Sequence, residues 1–292
     1  LGSYLDPLLL AKISALQLRA KTVVEGFIAG LHKSPTHGHS LEFVQHREYT
    51  FGDELKYLDW KVYGKTDRFF IKQFEAETNL RLYLLLDASG SMNFKGEKSA
   101  LSKYETAATL AASLGYLALK QGDSVGLAAF NKGTLRLIPP RNSLSHLNIL
   151  VKELEGVSVQ GETSLSEALE EIAQSSKKRS LFILISDLIE DENALLAAIK
   201  LLRFKKHEVS VVQLLDPEEK EFPFQGNIRL ESLEKNENLN LNSELFRADY
   251  QKAIENFILF YQKAFRDIGV EHHFVLTSQP LELTLSAIVR AA

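Results

Sequence analysis

The stretch Leu84-Leu85-Leu86-Asp87-Ala88-Ser89-Gly90-Ser91-Met92, LLLDASGSM, runs an apolar strand directly into an acid, two hydroxyls and a glycine. A buried strand that stops on Asp-x-Ser-x-Ser puts hard oxygen donors at one end of a sheet. There they can close around a small cation or offer a serine nucleophile. The same residue types also serve as helix caps and turns with no further chemistry. The surrounding sequence has to separate these possibilities.

Outward from this stretch the pattern is regular. Apolar runs predict strands over 80–86, 124–130, 134–138, 181–186, 208–215 and 271–277, with Pro139-Pro140 closing the third of them. Between and after them, helical spacing predicts helices over 102–121, 144–154, 164–174, 192–203, 244–268 and 281–289. Continuous apolar strands alternating with helices imply right-handed crossovers and a doubly wound, mostly parallel α/β sheet covered on both faces. Ligands of such sheets bind beyond the carboxyl ends of the strands. Asp87 stands at one such end, Asp187 follows 181–186 immediately, and Thr163 falls just before a helix that can bring it to the same rim. Residues 217–242, rich in Asn and Glu, read as a solvated excursion, with a recognition insert as the alternative.

The N-terminal quarter differs. Asp6-Pro7 is a helix start, Leu9, Ile13, Leu16, Val23 and Phe27 recur at helical spacing, and Gly30 is a stop signal. Residues 32–47 read as loop with a short extended piece, 68–74 as a partly buried strand, and Trp60 as a packing anchor. The expected organisation is therefore an N-terminal helix and extended segment over 1–77, docked on an α/β domain over 78–292.

Composition narrows the function. The 292 residues suffice for one large α/β domain with an appendage. A net charge of -4 gives no general attraction to phosphate backbones, so nucleic acid is not expected as a partner. With no cysteine there is no disulfide, thiolate zinc site or cysteine nucleophile, and any metal must be held by oxygen or imidazole. Lys12, Arg19, Lys21 and Glu25 interrupt the apolar residues of 8–31, so no transmembrane span or signal pattern is read there and a cytoplasmic location is expected. There is no phosphate-binding Gly-x4-Gly-Lys run, and Asp87 stands where a nucleophile elbow needs glycine. His32, His37, His39 and His46 have irregular spacing, and His272-His273 point to opposite faces of a strand, so neither group reads as a chelator.

Asp87-Ala88-Ser89-Gly90-Ser91, Gly161-Glu162-Thr163 and Ile185-Ser186-Asp187 resemble, in order and spacing, the metal-ion-dependent adhesion site of von Willebrand factor A domains. Upstream, Arg47-Glu48-Tyr49-Thr50-Phe51-Gly52-Asp53, Tyr57-Leu58-Asp59-Trp60-Lys61 and Ile71-Lys72-Gln73-Phe74-Glu75-Ala76-Glu77 resemble the signature of bacterial domain-of-unknown-function family 58. Lys56 and Gly64-Lys65 depart from the Arg and Ala-Arg of that signature. The resemblance implies a von Willebrand A-type domain and association with a MoxR-type AAA+ ATPase. It also implies Asp87, Ser89, Ser91, Thr163 and Asp187 as ligands of Mg2+ or Mn2+. Two carboxylates and three neutral hydroxyls suit such a hard cation and leave it able to accept a carboxylate from a partner protein. The expected function is thus metal-dependent protein binding rather than catalysis. A Mg2+-dependent hydrolase using the same aspartates and a scaffold with a purely structural metal are the alternatives.

Overall fold

A computed structural model of the chain describes residues 15–33, 46–48, 64, 69–72, 80–131, 134–162, 164–235 and 237–291. The chain forms two compact units, Leu1–Ala29 together with Leu80–Ala292, and Gly30–Asn79. In the smaller unit, strand β1 (His46–Glu48) pairs antiparallel with β2 (Phe70–Lys72). Trp60, His37, His39, Gly52-Asp53 and Asp59 lie outside the described residues.

The larger unit is built on one six-stranded sheet. Its strands are β3 (Arg81–Asp87), β4 (Ser124–Asn131), β5 (Thr134–Arg141), β6 (Leu181–Ser186), β7 (Glu208–Leu215) and β10 (Glu271–Leu276), in the order β10-β7-β6-β3-β4-β5. All neighbours run parallel except β4 and β5. The order reverses at β3, the first strand of the sheet, which is flanked by β4 on one side and β6 on the other. That is the place where the carboxyl ends of a doubly wound sheet open a crevice.

The alternation of side chains along the strands divides the core in two. On one face Leu82, Leu84 and Leu86 of β3 and Ile183 and Ile185 of β6 pack with helices α1 (Ala15–Lys33), α2 (Lys103–Lys120), α3 (His146–Glu155) and α8 (Leu281–Ala291). On the other, Leu85, Phe182 and Leu184 pack with α4 (Leu165–Ser175), α5 (Glu192–Phe204) and α7 (Ser243–Asp267), with Tyr261 and Phe265 fully buried among them. Each such leucine or phenylalanine contributes about 1.5–3 kcal/mol by leaving water. Helix α1 presents Leu16, Ala20, Val23, Val24 and Phe27 to the first cluster, so it is part of the α/β unit. It runs on past Gly30 to Lys33; a single glycine lowers helix stability by only about 1 kcal/mol, which neighbouring residues can outweigh. Among the described residues no helix is long and apolar enough to cross a membrane.

Two further expectations are corrected, beside the stop expected at Gly30. Strand β5 does not stop at Pro139-Pro140 but passes through them to Arg141. The register shifts there: Leu127 faces Ile138 and Val125 faces Arg141, so Gly126 alone opposes both prolines. This is a β-bulge on an outer strand, a place where prolines that donate no hydrogen bond are tolerated. Gly126 fits because a side chain there would press on the Ile138 carbonyl at 2.9 Å and the Tyr83 ring at 3.0 Å. Second, residues 217–242 face solvent over much of their length, as read, but they are not loop. They hold a short helix α6 (Pro217–Glu221) and an antiparallel hairpin of β8 (Asn227–Glu231) and β9 (Asn238–Asn242).

Candidate functional site

Three neighbouring strands carry an aspartate at their carboxyl ends. Asp87 is the last residue of β3, Asp187 follows β6, and Asp216 follows β7. All three are buried. The loop after β3 folds back through a 3-10 turn over Gly90–Asn93, with Gly90 N–H donating to the Gly161 carbonyl at 2.8 Å. Gln160 N–H donates to the Ala88 carbonyl at 3.2 Å. These two bonds clamp the Asp-x-Ser-x-Ser loop to the loop that carries Thr163. Thr163 itself lies outside the described residues.

Four of the five expected site residues come together. Asp87 Oδ1 accepts the Ser89 backbone N–H at 2.9 Å, and its Oδ2 accepts the Ser186 hydroxyl at 2.6 Å. The Ser89 and Ser91 hydroxyls are 3.0 Å apart, and Ser91 donates to Asp187 Oδ2 at 2.7 Å. After Asp187, Leu188 adopts the left-handed region with φ 62°. A leucine held there is strained by on the order of 1–3 kcal/mol; its burial in the second core cluster keeps it in place. The turn brings the Leu188 N–H to the Ser186 hydroxyl at 2.9 Å and the Ile189 N–H to Asp187 Oδ1 at 3.2 Å.

A fifth participant was not expected. Lys103 is the first residue of α2, fully buried, and its ammonium lies 2.8 Å from Asp187 Oδ2 and 2.5 Å from Glu219 Oε1. A cation at a helix N-terminus opposes the macrodipole. Here the capping box fixes it: Ser102 Oγ accepts the Glu105 N–H at 3.1 Å, and the Glu105 carboxylate accepts the Ser102 N–H at 2.9 Å. Burial works against the ammonium, but the two carboxylates outweigh it and hold Lys103 protonated above its ordinary range. Glu219 is itself set by the capping box of α6, where it accepts the Asp216 N–H at 2.8 Å. The signal in the sequence was the lysine at the first helical position, inside the Ser102-x-x-Glu105 cap and against the dipole rule.

Lys103 does not reach Asp87. Burial first, and the Asp187 charge second, push the Asp87 carboxyl up to about 7, against the Ser186 and Ser89 hydrogen bonds that favour its ionised form. Since this folded value lies above that of the unfolded chain, protonated Asp87 contributes stability that is fully present below about pH 4. That contribution is lost as the pH rises through about 7. Near neutrality the site thus holds more buried acid than Lys103 neutralises.

This donor set fits a small hard cation: two carboxylates and hydroxyl oxygens, with a deficit of positive charge at Asp87. Among the described residues no cluster of three or more acids or imidazoles is placed to hold a metal, so the fit rests on hydroxyls complementing two acids. Asp187 Oδ2 already accepts from both the Lys103 ammonium and the Ser91 hydroxyl.

The family described as protein of unknown function DUF58 matches residues 45–256. The uncharacterized protein Rv1480 of Mycobacterium tuberculosis is 26% identical over 240 residues, which cover 80% of this chain and 73% of that protein. The uncharacterized protein YeaD of Bacillus subtilis is 25% identical over 168 residues, covering 57% of this chain and 39% of that protein. Among solved structures, the conserved hypothetical protein BatB from Bacteroides thetaiotaomicron aligns with a TM-score of 0.47 and 18% identity, over 73% of this chain and 98% of BatB. The SpRpn10 VWA domain aligns with a TM-score of 0.41 and 12% identity, over 74% of this chain and 96% of that domain. The family match spans well over half of the sequence, and the chain, folded on a doubly wound α/β sheet, belongs to the DUF58 family.

Proposed function

We propose that this chain is a metal-dependent protein-binding module, with Asp87, Ser89, Ser91, Thr163 and Asp187 as the site for Mg2+ or Mn2+. The observation that carries this is the convergence of Asp87, Ser89, Ser91 and Asp187 at the rim where the strand order reverses, with Asp87 short of positive charge. When bound, the cation supplies a Lewis-acidic position for a partner's carboxylate. The chain's own residues orient the loop, keep the acids buried and neutralise part of their charge through Lys103.

A binding surface continues beside the site. Ile189, Leu215, Tyr250, Ile254, Phe257 and Phe260 line an apolar groove of about 750 Å3 between the Asp187 turn and α7. Ile189 and Phe260 are exposed. An acid flanked by apolar side chains would engage rim and groove together. The family resemblance makes a MoxR-type AAA+ ATPase the partner class, and we place the interaction in the cytoplasm.

Calorimetry and thermal melting test the metal. A ligand bound only by the folded chain at ten times its Kd stabilises by about 1.4 kcal/mol, a rise in Tm of roughly 3–5 °C for a domain of this size. Mg2+ is expected to produce this shift in the native chain and none in Asp87→Ala. Mg2+ or Mn2+ binding unchanged in both Asp87→Ala and Asp187→Ala would show the assignment to be wrong.

The pH dependence follows from Asp87. Below about pH 7 the cation must displace its proton, so apparent affinity is expected to fall by about tenfold per pH unit and to level off above 7. The Mg2+-induced shift in Tm, measured from pH 5.5 to 8.5, should grow with pH. A shift that shrinks as the pH rises contradicts the role given to Asp87.

A further inference from the structure

The β8–β9 hairpin ends in a loop that touches both loops of the candidate site. Glu234 Oε1 accepts the Ser91 backbone N–H at 3.3 Å. The Leu233 carbonyl lies over Gly90, so closely that a side chain there would come within 2.1 Å of it. Lys235 pairs with Glu162, next to Thr163, at 2.8 Å. The loop is shaped by its own bonds: Ser232 N–H donates to the Glu237 carbonyl at 2.9 Å, and Ser232 Oγ accepts the N–H groups of Glu234 at 3.3 Å and Lys235 at 3.0 Å. While Leu233 and Lys235 are exposed, Glu234 between them is half-buried against the site. A two-stranded hairpin is marginally stable alone. Its contacts with the Asp-x-Ser-x-Ser loop therefore help to fix where it lies.

The geometry points to Glu234 as this chain's own carboxylate for the cation, with the β8–β9 loop as a strap over the face that a partner's acid must reach. The inference rests on the metal reading given above. A carboxylate has two oxygens, so one can hold the Ser91 N–H while the other ligates. In this arrangement an incoming acid displaces Glu234, and the Lys235–Glu162 pair steadies the closed strap. Gly90 is required because only a residue without a side chain lets the Leu233 carbonyl approach.

The test uses the full chain with Mn2+ as the probe, measuring its Kd and, from water-proton relaxation, the number of waters on the bound ion. Glu234 stands on a surface loop, so Glu234→Gln leaves the core untouched. Glu234→Gln is expected to weaken Mn2+ by about tenfold or more and to add one water to the ion. Added acetate should then remove that water in Glu234→Gln but leave the native chain unchanged. If Glu234→Gln keeps the native Kd and water number while Asp87→Ala loses Mn2+, the strap is overturned and the metal site stands. If Mn2+ binding survives Asp87→Ala, the site reading beneath the strap is itself overturned.

Discussion

Lys103→Met is expected to lower the stability of the metal-free chain by about 3–5 kcal/mol, on the order of 10 °C in Tm for a domain of this size. The substitution keeps the volume of the stem and removes the ammonium that faces Asp187 Oδ2 and Glu219 Oε1. The buried Asp187 and half-buried Glu219 carboxylates are then left without their cation, beside an Asp87 carboxyl already pushed up to about 7. The loss measures the cost of that unpaired charge, not the net worth of the ion pair. Denaturant unfolding of the native chain and Lys103→Met, each with and without Mg2+, provides the check. Mg2+ is expected to recover more stability in Lys103→Met than in the native chain, because it replaces some of the missing positive charge. A change below about 1 kcal/mol would mean that the lysine is not a structural counter-charge to the site.

The second large effect concerns the partner. If a partner carboxylate sits on the cation, removing the ion leaves that carboxylate buried and unpaired, which costs about 2–5 kcal/mol, or upwards of roughly 30-fold in affinity. Binding to a MoxR-type ATPase, followed calorimetrically with and without chelator, should show this loss. Replacing the partner's acidic residues in turn should identify one Glu or Asp that reproduces the effect of chelator. Its loss should not add to that of Thr163→Ala, since both remove the same bridge. Binding indifferent to chelator, or full additivity at every acid, leaves the adhesion mechanism without support. A metal serving only to stiffen the loop would produce the additive result.

Asp87 and Asp187 were legible in the sequence because each ends a continuous apolar run, and a parallel sheet must bring such ends to one rim. Strand identity survived translation into structure for the same reason: side chains of β3 and β6 that alternate between two cores leave little freedom of register. The partners of Lys103, Glu219 and Glu234 were not legible, even though the place of Lys103 against the helix dipole marked it as unusual. Lys103 and Asp187 are 84 positions apart, Lys103 and Glu219 116, and Ser91 and Glu234 143. No local periodicity reports contacts of that range, and each of these residues has the composition of an ordinary solvated surface. The Asn-rich run 238–242 is solvent-facing as read, but antiparallel pairing of Asn227 with Asn242 and Glu231 with Asn238 makes a hairpin rather than a loop of it. Pro139-Pro140 misled in the opposite direction. Local backbone rules stop a central strand at proline, whereas an outer strand with a bulge accommodates two.

That proline pair also governs how the molecule can meet other chains. An outer strand with free N–H and C=O groups is a template onto which another extended segment can add, either as a ligand or as the start of aggregation. Over Pro139-Pro140 strand β5 has no N–H to donate, and the bulge twists that stretch away from straight pairing. A peptide laid along β5 would lose the continuous ladder that makes strand addition favourable. The proposed recruitment through side chains at the aspartate rim would then be separated from recruitment through backbone at this sheet edge, which is built to resist strand addition.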